Sequence, residues 1–422
     1  LSDDALSQRS RALTLMGEIA FARGDLNGAL RRYREAMATT AEAADRAPDN
    51  PQNLFDHAQN LFWVGYIDYQ RRDLDKAAAA FREYRRLADQ MIALAPLSDP
   101  YRLERIYADT NLGTVLMAQR RYSAAAGAYQ ASLEPVEQLV ARAPSNLAYQ
   151  DQLIELLAWL ADAREYGGQL DDALAHRRRQ LQLVAQRRAI DDGDTLARRQ
   201  EMSARAAMAR LLSAMGQASQ ALAQSRAASQ QAAWLIRTEP DNTEWLQART
   251  NADFERAEIE LAAGNGERAR EAAAQGCSTT SALLAKDRSV AAWRTRLQLQ
   301  CLKIMARIDL RGGATDQALS LARQALVLAR TEKDPIDRGF ETAAAEMTLG
   351  DALSRDGQRE VARGAYQRAL AAWPKGIEEP PRDRAARAVL LRQLGRRGEA
   401  ETLSAALQSI GYRQADYLGR RV

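Results

Sequence analysis

The sequence predicts an all-α chain of about nine stacked helix pairs, and three observations predict it. Alanines recur at a fixed interval of 48 residues. A second set of positions, mostly proline, recurs in the same register. No segment of the 422 residues shows the period-two alternation of a β-strand. A length of 422 would otherwise suggest two or three globular domains, but a repeat overrides that inference, because each unit then buries its apolar flank against its neighbours.

The turn inside each pair comes first. Gly24-Asp25-Leu26 precedes Ala29, Arg72-Asp73-Leu74 precedes Ala77, and Arg120-Arg121-Tyr122 precedes Ala125. Gly168, Gly216 and Gly264 open the same kind of turn before Ala173, Ala221 and Ala269. These alanines stand 48 apart, and the series continues at Ala318, Ala362 and Ala400 with steps of 49, 44 and 38.

After the turn comes the second helix of the pair. In Ala77 to Leu94 the apolar residues Ala77, Phe81, Tyr84, Leu87, Met91 and Leu94 fall at helical spacing. Pro48, Pro96, Pro144, Asp192 and Pro240, with Arg288 in the same register, then end that helix. Asp49-Asn50, Ser145-Asn146 and Asp241-Asn242 follow three of the prolines and can cap the next helix. Tyr101, Tyr149, Trp245 and Trp293 mark its start, with Asn53 and Ala197 as exceptions. The first helix of each pair carries a small residue: Gly17, Gly65, Gly113, Ala161, Ala209, Ala257, Ala306 and Gly350. A larger side chain there would push crossing helix axes apart.

Together these columns resemble the tetratricopeptide repeat. Leu349-Gly350, Leu353, Ala362, Tyr366, Ala369 and Pro374 match its pattern at the family's usual length, and Met16-Gly17, Ala29, Tyr33 and Ala36 match with a late proline. The resemblance implies a helical-hairpin solenoid with a right-handed superhelix. Residues 1–334 would form seven long-helix repeats of about 48 residues, and 335–422 two shorter ones including a C-terminal cap, in one continuous solenoid. In repeats four to seven, Arg177, Ser225, Ala273 and Ala322 replace the second aromatic of the pattern. The opening, Leu1-Ser2-Asp3-Asp4 through Gly17-Glu18, is similar to the start of C-terminal repeat arrays in bacterial signalling proteins that carry a TIR domain or a serine/threonine kinase. That implies a sensor or regulatory arm whose N-terminal effector is absent, membrane-anchored with the array outside the cytoplasm; a cytoplasmic array is the alternative. Leu1 in place of an initiator Met reads as a fragment or processed product.

Composition and motifs narrow the function. The net charge is only +4, too small for a whole-molecule footprint on nucleic acid. Arg177-Arg178-Arg179, Arg187-Arg188 and Arg198-Arg199 read as a solvated helix face, with an anionic-partner patch as the alternative. No phosphate-binding glycine loop and no nucleophile elbow occurs, and the two histidines, His57 and His176, have no matching nucleophile. Both read as structural or surface residues, and Cys277 and Cys301 as small buried thiols. No enzyme, metal or cofactor is expected.

In the family the first helix of each pair lines the concave side. Its groove offsets map to Glu18 and Phe21 in repeat one, to Phe62, Tyr66 and Tyr69 in repeat two, and to Thr110, Asn111 and Thr114 in repeat three. Repeat four supplies Trp159, Asp162 and Glu165, repeat five Arg210, and repeat six Phe254 and Glu258. Aromatic rings beside carboxylates and amides suit a peptide or protein ligand, with Phe62 and Trp159 as inter-repeat core the competing reading. Asn111 alone does not rebuild the family's carboxylate clamp. A nucleic-acid regulator and a small-molecule-sensing or oligomerising scaffold are the alternatives.

Overall fold

The computed structural model describes residues 2–414 and places eighteen α-helices and no strand among them. Consecutive helices pack as antiparallel hairpins, the arrangement of a tetratricopeptide-like array of about nine pairs. The chain divides into two compact units, Leu1–Arg164 and Glu165–Val422.

The first unit holds α1 (Asp3–Ala22), α2 (Leu26–Arg46), α3 (Pro51–Gln70), α4 (Leu74–Leu94), α5 (Asp99–Ala118) and α6 (Tyr122–Arg142), and most of α7 (Leu147–Tyr166). The second begins with the last two residues of α7 and continues through α8 (Leu170–Ile190), α9 (Thr195–Ala214), α10 (Ala218–Thr238), α11 (Thr243–Ala262) and α12 (Gly266–Lys286). There follow α13 (Leu299–Arg311), α14 (Thr315–Ala329), α15 (Pro335–Arg355), α16 (Arg359–Ala372), α17 (Pro381–Gln393) and α18 (Arg397–Ser409). No helix of the described residues is long and apolar enough to cross a membrane.

Each recurring position has a physical task. The turn position takes positive φ in every repeat: Gly24 at 76°, Gly168 at 86° and Gly264 at 83°, but also Arg72 at 65° and Arg120 at 55°. Glycine enters this region at no steric cost, whereas the two arginines are strained there. The residue two past the proline position caps the next helix. Asn50 Oδ1 accepts from Gln52 N–H at 3.0 Å, Asp194 Oδ1 from Ala197 N–H at 2.9 Å, and Asn242 Oδ1 from Glu244 N–H at 2.9 Å. Val290 occupies this register in repeat seven, and there the helix opens with a π-helical stretch, Trp293–Gln298. A π stretch holds one extra residue in the coil. It therefore absorbs the single insertion that turns the 48-residue step into 49.

Small residues and aromatic rings fit each other across the hairpins. A Cβ built on Gly17 would lie 2.8 Å from the Tyr33 ring, on Gly65 3.0 Å from Phe81, on Gly113 2.4 Å from Tyr129, and on Gly350 2.6 Å from Tyr366. Where the second helix offers Arg177, Ser225, Ala273 or Ala322 instead, the first carries Ala161, Ala209, Ala257 or Ala306. Repeat six reverses the roles. Phe254 of α11 is 3% exposed, and its ring lies 2.6 Å from the Cβ position of Gly276 on α12. Phe254 is thus hairpin core, not groove lining.

Two further expectations are corrected. Cys277 of α12 and Cys301, just inside α13, are joined as a disulfide with Cα atoms 5.3 Å apart, not held as thiols. Their separation of 24 residues is half a repeat, which sets them on facing helices. The arginine clusters are not simply a solvated face. Arg177, Arg187 and Arg198 are buried. Arg187 pairs with Asp194, and Arg188 with Asp192 and Glu201. Arg198 pairs with Asp192 at 2.6 Å and sits 4.0 Å above the Trp234 ring. Hydrophobic stems and carboxylate partners make that burial affordable.

Candidate functional site

In the first unit the site builds on α1, α3, α5 and α7. Phe62, Tyr66 and Tyr69 lie along one side of α3, each half-buried. Phe62 stacks on Tyr66 with centroids 6.0 Å apart and meets Phe81 of α4 at 6.4 Å. Phe21 of α1 meets Tyr66 edge-on at 5.8 Å, so the rings of repeats one and two form one aromatic patch. Trp63 packs inward, parallel to Tyr33 at 5.3 Å. Trp159 of α7 is half-buried and stacks on Tyr129 of α6 at 6.0 Å. Phe62 therefore gives one part of its ring to its own hairpin, Trp159 gives one part to the preceding repeat, and each keeps another part accessible.

The polar members come from α5. Thr114 Oγ1 lies 3.3 Å from the Tyr129 hydroxyl and 3.0 Å from the Thr110 carbonyl, to which it donates. Thr110 Oγ1 and Asn111 Nδ2 both donate to the Tyr107 carbonyl, at 3.1 and 2.7 Å. These bonds hold the side chains against their own helix, and Thr110 itself is buried. Asp162 of α7 is half-buried near the Tyr129 hydroxyl, whose pKa is raised first by burial and then held down in part by Thr114. Glu18 is exposed on α1. The Tyr33 hydroxyl near it is buried without a hydrogen-bond partner, and burial followed by the Glu18 charge pushes its pKa up to about 12.

Glu165 and Arg210 belong to the second unit and engage each other. Arg210 donates from Nε to Glu165 Oε1 at 2.7 Å and from Nη2 to Oε2 at 2.9 Å, a two-pronged pair. Around them lies a chamber that the sequence pattern did not single out. The C-terminal hairpin folds back on the turns of repeats four and five. Arg413 N–H donates to the Ala214 carbonyl at 2.7 Å, Tyr412 is 2% exposed, and Ile410 Cδ1 lies 3.2 Å from the Cβ position of Gly168. Leu170, Leu211 and Ala221 share one core cluster with Leu353, Leu390, Leu407 and Tyr412. Two adjoining cavities of about 220 and 360 Å³ result, with Glu258, Arg382 and Tyr412 in both walls.

Most of the chamber's charges are paired. Arg307 pairs with Glu258, and Lys303 with Glu341. Those cations, with Arg382, hold Glu258 below the usual carboxylate range despite its burial. Glu255 of α11 makes no hydrogen bond or ion pair with a described residue, and desolvation raises its pKa against the pull of Arg382 and Arg210. Of the chamber residues, Glu165, Arg210 and Glu258 stood at repeat-derived groove offsets. The one sequence signal for the rest was the arginine-rich last repeat with its terminal Gly411-Tyr412. Among the described residues no group of three or more His, Cys, Asp or Glu side chains is placed to hold a metal ion. His57 is half-buried with Nδ1 3.2 Å from Thr40 Oγ1, in a structural setting.

No family model matches the chain, and no curated protein does. Solved structures do. The apo form of the quorum sensor NprR from B. thuringiensis aligns with a TM-score of 0.58 at 11% identity, over 86% of this chain and 87% of that one. The apo form of RapI aligns with a TM-score of 0.56 at 10% identity, over 99% and 98%. A tetratricopeptide repeat protein from Parabacteroides merdae aligns over 80% of this chain with a TM-score of 0.44. At such identities the likeness to the NprR and RapI structures establishes a shared fold, a helical-hairpin array.

Proposed function

We propose that the chain is a non-enzymatic scaffold that binds a peptide or protein segment on the inner helix faces of its first unit, and serves as the sensing arm of a signalling protein. One observation carries the reading. Phe62, Tyr66, Tyr69 and Trp159 keep half-buried rings on α3 and α7, and Asn111, Thr114 and Asp162 are half-buried on α5 and α7, with Thr114 and Trp159 both meeting Tyr129; Thr110, only 5% exposed, supports Thr114 from behind. Rings supply contact area at low entropic cost, while the amide and carboxylate fix register. The fold shared with the quorum sensor NprR supports a sensing role. A nucleic-acid role has less support, because Arg187, Arg188 and Arg198 already hold carboxylates of the same chain.

Peptides selected from a random display library on the whole chain test this. Tyr66→Ala and Asp162→Asn should each weaken the selected peptides about tenfold or more with helical content retained. Equal binding by both variants removes the first-unit groove from the reading.

The compartment belongs to the same proposal. A Cys277–Cys301 disulfide favours an oxidising location outside the cytoplasm over a cytoplasmic one. Alkylation of the natively produced protein under denaturing conditions should find no free thiol; two free thiols would reverse this.

A further inference from the structure

We propose that the chamber of the second unit is a binding site for a small aliphatic cation, an amine or guanidine on a short methylene stem, seated against Glu255. This site is separate from the peptide surface proposed for the first unit and does not rest on it.

The argument starts from charge pairing. Three cations of the walls are matched: Arg210 by Glu165, Arg307 by Glu258, and Lys303 by Glu341. The fourth, Arg382, reaches Glu258 Oε1 only at 3.6 Å. Glu255 is left as a partly buried carboxylate with no donor of its own among the described residues. A desolvated carboxylate in that state costs free energy that an incoming N–H donor of positive charge recovers. A neutral donor would satisfy its hydrogen bond but not its charge, and an anion would be repelled.

Shape narrows the class. Leu170, Ala214, Ile259, Pro380 and Pro381 give the 220 Å³ cavity an apolar wall that suits methylene groups. Tyr166 adds a ring there, with the Arg210 guanidinium carbon 6.0 Å from its centroid. Glu255 also borders a recess of about 210 Å³ on the α9–α11 face, lined by Met202, Ser203 and Asn251. A ligand therefore has a route to Glu255 from outside the chamber. The C-terminal hairpin closes the other side, through Arg413 on Ala214 and buried Tyr412, which favours a free small molecule over the side chain of a long peptide.

Arg382 is then the built-in competitor. It exerts the strongest attraction of any cation on Glu255 and belongs to the first turn of α17. A bound cation takes the electrostatic place that Arg382 fills only from a distance.

Calorimetric titration of the full chain with agmatine tests the site. Saturable binding at one site per chain is expected. Glu255→Gln, which keeps the shape and removes the charge, should weaken it about tenfold or more. Arg382→Gln should tighten it severalfold, a sign that simple structural damage does not produce. Circular dichroism checks that both variants fold. Absence of agmatine binding at millimolar concentration, unchanged affinity in a folded Glu255→Gln variant, or weakening in Arg382→Gln would each overturn the proposal. So would tighter binding of the tripeptide Ala-Arg-Ala than of agmatine, which would move the site to a peptide side chain.

Discussion

The repeats of the first unit and repeats five to seven of the second solve one packing problem in two ways. In α1–α2, α3–α4 and α5–α6 a glycine on the first helix receives a large ring from the second: Tyr33, Phe81 and Tyr129. In repeats five to seven alanine faces Ser225, Ala273 and Ala322, and the ring is gone from that position. Repeat six restores a ring from the other side, with Phe254 set into Gly276. The hairpin therefore closes either around a ring set on glycine or by direct approach of two small residues, so neither residue's identity is fixed by the fold. Recognition by aromatic pattern therefore fades in repeats four to seven while the hairpins persist.

The comparison can be broken most sharply at the rings. Tyr129→Ala should cost about 3–5 kcal/mol of unfolding free energy, because a buried ring leaves a cavity against Gly113. Ser225→Ala at the equivalent place should change stability by less than about 1 kcal/mol. Urea unfolding of both variants decides it, and similar losses would dissolve the distinction.

Loss of the disulfide ranks next. Cys301→Ser opens a loop of 24 residues and should destabilise the second unit by about 3 kcal/mol. The first unit contains no cysteine, so amide hydrogen exchange should speed up in α12 and α13 and not in α1–α6.

Gly113→Ala probes the same crossing from the glycine side. The new Cβ would meet the Tyr129 ring at 2.4 Å, a clash worth about 1–3 kcal/mol, offset by about 1 kcal/mol of helix propensity. A net loss in the thermal midpoint is expected; a gain would show that the ring moves aside freely.

The turns give a stabilising change. Arg72 and Arg120 hold positive φ where the second unit's turns use glycine. Arg72→Gly should gain about 0.5–1 kcal/mol, the relieved strain being partly cancelled by a more flexible unfolded chain. A lowered midpoint would mean that contacts of the arginine side chain outweigh the strain.

The smallest effect is one of pH. Burial, the largest cause, lowers the His57 pKa below its ordinary 6.5. The unfolded chain then binds the proton more readily, so stability is full above pH 6.5 and falls as the pH drops through that value toward the folded pKa. His57→Gln should flatten this part of the profile, measured as the urea midpoint between about pH 7.5 and 5.5; an unchanged slope would assign it to other groups.

Much of the architecture is legible in residue order because a repeat writes its own register. The 48-residue columns locate the turns, the caps and the crossings, and the structure puts Asn50, Asp194 and Asn242 at helix starts as that register requires. The peptide surface proposed for the first unit rests on the same register, since groove offsets repeat with the helices. The rest of the chemistry is not. Arg187 and Arg198 read as surface charges until their carboxylates are placed beside them. Cys277 and Cys301 read as separate thiols until two helices bring them to 5.3 Å. Glu255 and Arg382 stand 127 positions apart, and no local pattern links them.

Periodicity along the chain thus dictated which residues form helices, where each hairpin turns and which neighbours it packs on, because those contacts are short-range and recur. Closure of the C-terminal hairpin onto the turns of repeats four and five rests instead on contacts between distant parts of the chain, such as Arg413 with Ala214 and Ile410 against Gly168. Such long-range contacts are not written in any single repeat, so the chamber around Glu255 emerges with the folded second unit.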